Sequence, residues 1–218
     1  TIGFNLLFNS LGGSREQIKE LLKNIKLYKD YKIIIISSKN NEVFIKNISS
    51  GNVKVIYINL ISNNVIIRVL FEQFILPFIC IFLKIDLLFC PGNLSPVFLT
   101  KKKIQWIGTV GPFEKEFYKN INLYKKLKYL TNKFLIICSA KTSNYVIFES
   151  HYTKNLFINK YSIDINKCKV ISIGKKNEYN KVNKIIHDSE IFIACVSHIY
   201  AYKNIEVLIE AVNILIKE

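Results

Sequence analysis

The residues best suited to hold a phosphorylated ligand lie late in the sequence. His198 and Lys203 are five residues apart in a short polar segment. An apolar run at 191–196 precedes this segment and has the length of a strand buried on both faces. Asn204 follows the segment as a suitable N-cap for an amphipathic helix. Because doubly wound α/β folds bind phosphorylated ligands at the carboxyl ends of strands, both side chains are candidates for that task.

A second candidate site lies near the start of the sequence. Gly12 and Gly13 follow an apolar segment, 2–9, that we expect to form the first strand. Ser14 has capping-box spacing to Gln17, so a helix should begin there. Glycines at a helix N-terminus let a phosphate or a sugar approach the backbone. A plain tight turn is the alternative for this pair.

Two further strands end in polar residues that could face a cleft. Gly108 and Thr109 follow a short strand at 104–107, and Glu149 and Ser150 end the strand that starts at residue 145. For Ser150 we favour capping of the next helix over chemistry. A nucleophile–base pair of Ser150 with His151 is excluded because adjacent side chains point apart.

The order of elements predicts the fold class. Strands and helices alternate along the whole sequence, which favours an α/β fold with a doubly wound, Rossmann-like parallel sheet. The expected strands are at 2–9, 32–38, 53–60, 86–90, 104–107, 145–151, 168–173 and 191–196. Lysines alternate with tyrosines in a helical region at 114–133. That pattern fits either a surface helix, which we favour, or a groove that stacks on bases.

The most hydrophobic segment, 65–83, raises the question of a membrane span. Arg68, Glu72, Gln73 and Pro77 interrupt it, and the uncharged part is shorter than the ~20 residues that a span requires. We therefore predict a kinked core helix. Its apolar excess would also let the domain rest on a bilayer surface.

The late segment resembles a known family. Val-Ser-His-Ile-Tyr-Ala-Tyr-Lys-Asn at 196–204, with Leu-Ile-Glu-Ala at 208–211, is similar to the entry of the donor domain in group 1 (family 4) GT-B glycosyltransferases. In that family an arginine and a lysine hold the diphosphate of a nucleotide sugar. Lys203 matches the lysine, whereas His198 stands where arginine is commonest and Ser197 where glycine is commonest.

Other loops resemble the same family in the same order. They are an Asp-x-x-x-x-Pro loop from residue 86, a loop ending in Pro-Phe at 112–113, the strand end at 149–150 and a strand ending at Gly174. The family's Gly-Gly loop faces the interdomain cleft, which favours that role for Gly12 and Gly13. Many members carry a histidine near the positions of Gly108 and Thr109, and this sequence has none there.

The resemblance implies a GT-B enzyme that moves a sugar from a nucleotide-sugar donor to an acceptor hydroxyl, with retention and without a metal or other cofactor. It implies an acceptor-side domain at 1–180, followed by a linker and the start of a donor domain at 181–218. The paired glutamates that grip the donor in the family are absent, so we expect this fragment alone to be inactive. A glycan or lipid-linked acceptor, polysaccharide assembly, and a cytoplasmic location at the inner membrane face follow by the same resemblance.

Composition leaves a non-enzymatic alternative open. The formal net charge is +15, but only 2 of the 31 basic residues are arginine, so the lysines fit a solvated surface as well as an anionic partner. The five cysteines are scattered and read as reduced core residues. A degenerate or non-catalytic Rossmann-like module that binds anionic lipid or protein is the second hypothesis. No nucleic-acid-binding module is recognised, and we expect no nucleic-acid partner.

Overall fold

The computed structural model describes residues 1–8, 13–25, 27–46, 51–59, 64–118, 121–174, 193–196 and 204–217. Seven strands lie in these ranges. They are β1 Ile2–Leu6, β2 Ile33–Ser38, β3 Val53–Ile58, β4 Leu87–Cys90, β5 Lys102–Ile107, β6 Tyr145–Phe148 and β7 Cys168–Val170. Each falls at a position that the apolar runs of the sequence predict.

The seven strands form a single parallel sheet in the order β3-β2-β1-β4-β5-β6-β7. The chain proceeds outward from β1 in one direction, crosses back to β4, and proceeds outward in the other direction. This is the doubly wound arrangement, with its switch point between β1 and β4. The predicted fold class is confirmed.

The helices connect the strands. They are α1 Gly13–Ile25, α2 Glu42–Ile45, α3 Val65–Leu70, α4 Leu76–Phe82, α5 Leu123–Thr142, α6 His151–Tyr161 and α7 Ile205–Lys217. Helix α1 begins at Gly13, so Ser14 lies in its first turn and is not the predicted N-cap. Helix α5 begins only at Leu123 because the Asn122 side chain caps it by accepting from the Lys125 N–H. Of the helical region predicted at 114–133, a 3₁₀ turn at Glu116–Tyr118 and the part from Leu123 onward are helical, and residues 119 and 120 lie outside the described residues.

The sheet is packed by helices on both faces. On one face, α1 contributes Ile18 and Leu22 to a core with Phe4, Ile33 and Ile35. On the other face, Leu76 and Cys80 of α4 pack on Ile34, Ile36 and Leu88, and α5 and α6 cover Val146 and Phe148. β-Branched residues that point to both faces of β2 are completely buried, as in a central parallel strand.

The apolar segment between β3 and β4 is a helix with an irregular centre. Helices α3 and α4 are joined by a π-helical segment, Phe71–Ile75, and Pro77 stands in the first turn of α4. By length and composition Val65–Phe82 could cross a membrane, with a mean hydropathy of 2.2, and only 28% of it is buried. The predicted irregularity is confirmed. The description as a core helix is wrong for its outer side, because the sheet covers one side only.

The predicted final strand is only partly described. Residues 193–196 form no strand, and Val196 is fully exposed. The prediction is wrong for these four residues, since a strand requires a hydrogen-bonded neighbour and the sheet does not extend to them. Helix α7 begins directly after Asn204, as predicted. The domain boundary at residue 180 stays a prediction.

Candidate functional site at the carboxyl edge of the sheet

The switch point between β1 and β4 lies at the carboxyl edge of the sheet, where doubly wound folds bind their ligands. Phe8, just after β1, lies over Gly92, just after β4. A Cβ on Gly92 would overlap the Phe8 ring, so a larger residue there would require the ring to move. Because the strands are parallel, the ends of β5 and β6 meet at the same edge. Four loops therefore converge there.

Asn93 organises two of these loops. Its side-chain Oδ1 accepts hydrogen bonds from the backbone N–H groups of Gly108, at 2.8 Å, and Thr109, at 3.2 Å. Its own N–H donates to the carbonyl of Trp106 at 3.2 Å. Asn93 has a φ of 65°, in the left-handed region that asparagine tolerates better than most residues. The loop after β4 thus fixes the backbone at the end of β5.

Glu149, directly after β6, places a carboxylate at this edge. It is partly buried, and a Cβ on Gly108 would stand 2.7 Å from Glu149 Oε1, so the carboxylate lies directly against that glycine. Burial raises the pKa of Glu149, and the nearby indole of Trp106 opposes the rise. The enclosed Trp106 N–H has no acceptor at hydrogen-bond geometry within the described ranges. The sequence prediction that places Glu149 beside Gly108 and Thr109 at one edge agrees with this geometry.

Ser150 has a structural task at this edge. Its Oγ accepts from the Thr153 N–H at 3.2 Å and lies 3.0 Å from the Thr153 hydroxyl, so it caps α6. This is the role that the sequence favours for it.

Two side chains hold the loop between β4 and β5. Gln73 comes from the π-helical segment and Lys103 from β5. Gln73 donates to the carbonyl of Ser95 at 3.3 Å and accepts from the Val97 N–H at 2.8 Å. The ammonium of Lys103 donates to the carbonyls of Pro96 and Val97. Burial lowers the pKa of Lys103 to about 8. The loop is therefore fixed by buried polar contacts rather than by apolar packing.

A second buried network joins β5 to α5. Gln105 donates to the Asn93 carbonyl at 2.6 Å and to the Ser139 hydroxyl at 2.9 Å. The Ser143 hydroxyl lies 3.1 Å from that of Ser95 and donates to the Ser139 carbonyl at 2.8 Å. Because each of these groups has a partner, the polar atoms carry no large burial penalty, and they link Asn93 to the helix layer.

Several predicted site residues lie outside the described residues. These are Gly12, His198 and Lys203. Gly13 is described, and it is the first residue of α1 with open space around its Cα. The proposed roles of these four residues in binding stay predictions. The structure brings together Gly108, Thr109, Glu149 and Ser150.

Asn93 and Gln73 hold the loops of this edge, and sequence reasoning missed both positions. A signal for Asn93 exists, because Pro-Gly-Asn directly after a buried strand is typical of a turn. The signal for Gln73 is a polar pair, Glu72 and Gln73, inside an apolar run. Within the described ranges, no group of three or more His, Cys, Asp or Glu side chains could hold a metal ion.

Comparison with known proteins finds no matching family model and no matching curated protein. Solved structures do match. HepE from Anabaena, in complex with UDP and glucose, is 16% identical with a TM-score of 0.52, over 80% of this chain and 44% of that chain. The lipopolysaccharide outer core galactosyltransferase WaaB, in its apo form, is 10% identical with a TM-score of 0.52, over 78% of this chain and 44% of that chain.

At these identities the likeness concerns the fold. The chain has the fold of GT-B glycosyltransferases, as the loops of the sequence predict. It spans 44% of the length of the two structures described above.

Proposed function

We propose that the protein of which this chain is part transfers a sugar from a nucleotide-sugar donor to an acceptor hydroxyl. The observation that carries the proposal is the Glu149 carboxylate, set against Gly108 at the carboxyl edge of a GT-B sheet. A second crystal structure of HepE, in complex with UDP-glucose, has a TM-score of 0.52 and 14% identity, over 80% of this chain and 44% of that chain. The donor is proposed from that likeness, and the acceptor side from the edge itself.

Glu149 is suited to orient an acceptor. A partly buried carboxylate accepts hydrogen bonds from sugar hydroxyls more strongly than an exposed one, since little water competes for it. The backbone at Gly108 approaches the carboxylate without a side chain in between. We propose that Glu149 holds the acceptor hydroxyl while the donor's leaving diphosphate is stabilised by Lys203 and His198 on the other side of the cleft.

The direct test is nucleotide release by the full-length native protein. Purified protein would be incubated with UDP-, GDP- and ADP-glucose and a mixture of glycan and lipid-linked acceptors, and the nucleoside diphosphate released would be measured. Acceptor-dependent release from one donor is the expected result. No release from any of the three nucleotide sugars, together with binding to anionic lipid or protein that weakens steeply with salt, would instead support the non-catalytic module.

Three variants separate the two sides of the proposed cleft. Glu149→Gln keeps the shape and removes the charge, so turnover should fall by about 10²-fold with unchanged affinity for the free nucleotide. Gly108→Ala should produce part of the same loss, because its Cβ would displace the carboxylate. Lys203→Ala should weaken nucleotide binding, and Lys169→Ala, an exposed lysine on β7, is the matched control. Unchanged nucleotide affinity in Lys203→Ala would remove Lys203 from the site.

The finer features follow from the family resemblance. We propose retention of the anomeric configuration, which an NMR spectrum of the first product would decide. We propose that no metal is required, so that turnover survives a chelator, and that the acceptor is a glycan or lipid-linked glycan in polysaccharide assembly. We also propose a cytoplasmic protein that works at the inner face of the cell membrane, which fractionation of cells would test.

A further inference from the structure

An extended apolar surface remains open on the side of the sheet that carries α4 and α5. The two helices lie on the same face, because Leu88 and Cys90 contact α4 while their register partners Lys103 and Gln105 point the same way. Gln105 in turn reaches Ser139 of α5. Val69 of α3 also packs against the core that contains Ile136 of α5. The outward sides of both helices therefore form one surface.

We call this surface the lysine-bordered face. Its apolar members are all exposed although they are large and hydrophobic. They are Ile67, Leu70, Phe74, Phe78, Ile81, Phe82, Phe98, Leu123, Leu127, Leu130 and Phe134. Phe82 is 85% exposed and Phe78 72%. Phe74 and Phe98 stack at 6.1 Å between ring centroids. Contiguous apolar surface of this kind marks an interaction site on a folded protein.

The charges around the face have one sign. Helix α5 carries five lysines and no acidic residue. Lys125, Lys126, Lys128 and Lys141 among them are exposed. The one acidic residue of the α3–α4 segment, Glu72, is buried on the side toward the sheet. An occupant that matches this face must therefore be apolar at its centre and anionic around it.

We propose that the lysine-bordered face docks onto the surface of an anionic lipid bilayer. Phe78, Phe82, Leu127 and Phe134 would enter the boundary between headgroups and acyl chains, and the lysines of α5 would contact lipid phosphates. A second copy of the chain fits less well, since a symmetric dimer through this face would bring the same lysines together. This docking deepens the membrane location proposed above and does not depend on sugar transfer.

The segment docks on the bilayer rather than crossing it. Leu76 and Cys80, on its inward side, are completely buried against the sheet, and Gln73 holds the loop after β4. Removing the helix from the sheet would expose that core and break both contacts of Gln73. The side turned outward is the side that can reach lipid.

Vesicle flotation tests the proposal with the purified protein. Vesicles of phosphatidylcholine would be compared with vesicles that contain about one-third phosphatidylglycerol. The expected result is binding to the anionic vesicles that high salt releases, as for a peripheral contact. Absence of flotation with anionic vesicles would overturn the proposal, and so would binding that resists high salt, since that would indicate insertion.

Paired variants locate the contact. Phe78→Asp with Phe82→Asp should lower the bound fraction at least about tenfold, because two exposed aromatic side chains no longer enter the lipid. Lys126→Glu with Lys141→Glu should lower it only on the anionic vesicles. The matched control is Val43→Asp with Lys46→Glu, which makes the same kinds of change at exposed positions around α2, on the opposite face.

Two outcomes with the variants would overturn the assignment. One is an equal loss of binding in the control on α2, which would show that net charge alone drives association. The other is a dimer of the wild-type protein in sedimentation that Phe78→Asp with Phe82→Asp dissociates, in the absence of vesicle binding. A far-ultraviolet circular dichroism spectrum identical to that of the wild type would show that each variant is folded.

Discussion

At the scale of single residues, burial of the Glu72 carboxyl costs free energy in the folded chain. It lies in the π-helical segment and is 2% exposed, and its Oε2 has no hydrogen-bond partner among the described residues. Burial raises the pKa of Glu72 to about 7, although Arg68 and the Asn5 side chain oppose the rise. The ionised form is therefore disfavoured in the folded chain.

The pH dependence of stability follows from that shift. Because the folded pKa lies above the unfolded value, the folded state binds the proton more tightly, and stability falls as pH rises from about 4.5 to about 7. The loss should reach about 3 kcal/mol for a shift of this size. Urea unfolding of the wild type at pH 5 and pH 8 would measure it. Glu72→Gln should remove that part of the difference.

Asp30→Asn is the control for this prediction, because Asp30 is an exposed carboxylate and its removal makes the same change in charge. It should leave the pH dependence of the wild type in place. Parallel profiles for the wild type and Glu72→Gln would show that the buried carboxyl is solvated by water and carries no penalty.

At the scale of elements, α5 is a helix whose charges oppose its dipole at one end. Lys125 stands in the first turn with no acidic residue beside it, and Lys141 stands in the last turn, where a cation is favourable. Lys125→Glu should stabilise the protein by about 0.5–1 kcal/mol, since it also provides the acidic partner of a capping box with Asn122. Lys141→Glu should destabilise it by a similar amount.

Thermal unfolding at low salt would measure both variants. They change the net charge equally, so the difference between them reports the position on the helix alone. A shift of the same sign and size in both variants would show that overall charge, and not the helix dipole, determines the effect.

The elements differ in how far the sequence could predict them. Strand β2 is a β-branched run buried on both faces, and the local pattern is sufficient to place it. The π-helical segment was beyond prediction, because two adjacent polar residues, Glu72 and Gln73, turn inward only when the sheet and the loop at 95–97 are present to receive them. Glu149 was predictable from its place at a strand end. Its contact with Gly108 depends on the register of β5 with β6.

At the scale of the whole molecule, the chain carries an excess of positive charge that ion pairs within it cannot neutralise. The chain has 31 basic and 16 acidic residues, so even complete one-to-one pairing would leave 15 cations without an acidic partner. The ion pairs at Lys19–Glu16 and Lys23–Glu20 are on the surface and contribute little. Mutual repulsion of the lysines therefore lowers the stability of the compact state.

Salt should consequently stabilise the protein. Raising sodium chloride from about 0.02 M to about 0.2 M shortens the Debye length from roughly 20 Å to roughly 7 Å and screens this repulsion. We expect the Tm to rise by about 2–4 °C, the shift that about 1 kcal/mol produces in a chain of this size. Replacing four exposed lysines by glutamate, at Lys46, Lys54, Lys102 and Lys169, lowers the formal charge by two units each, from +15 to +7. That variant should show a smaller rise. An equal rise in both proteins would mean that salt acts through its general effect on hydration, and that the basic surface carries no energetic penalty for the fold.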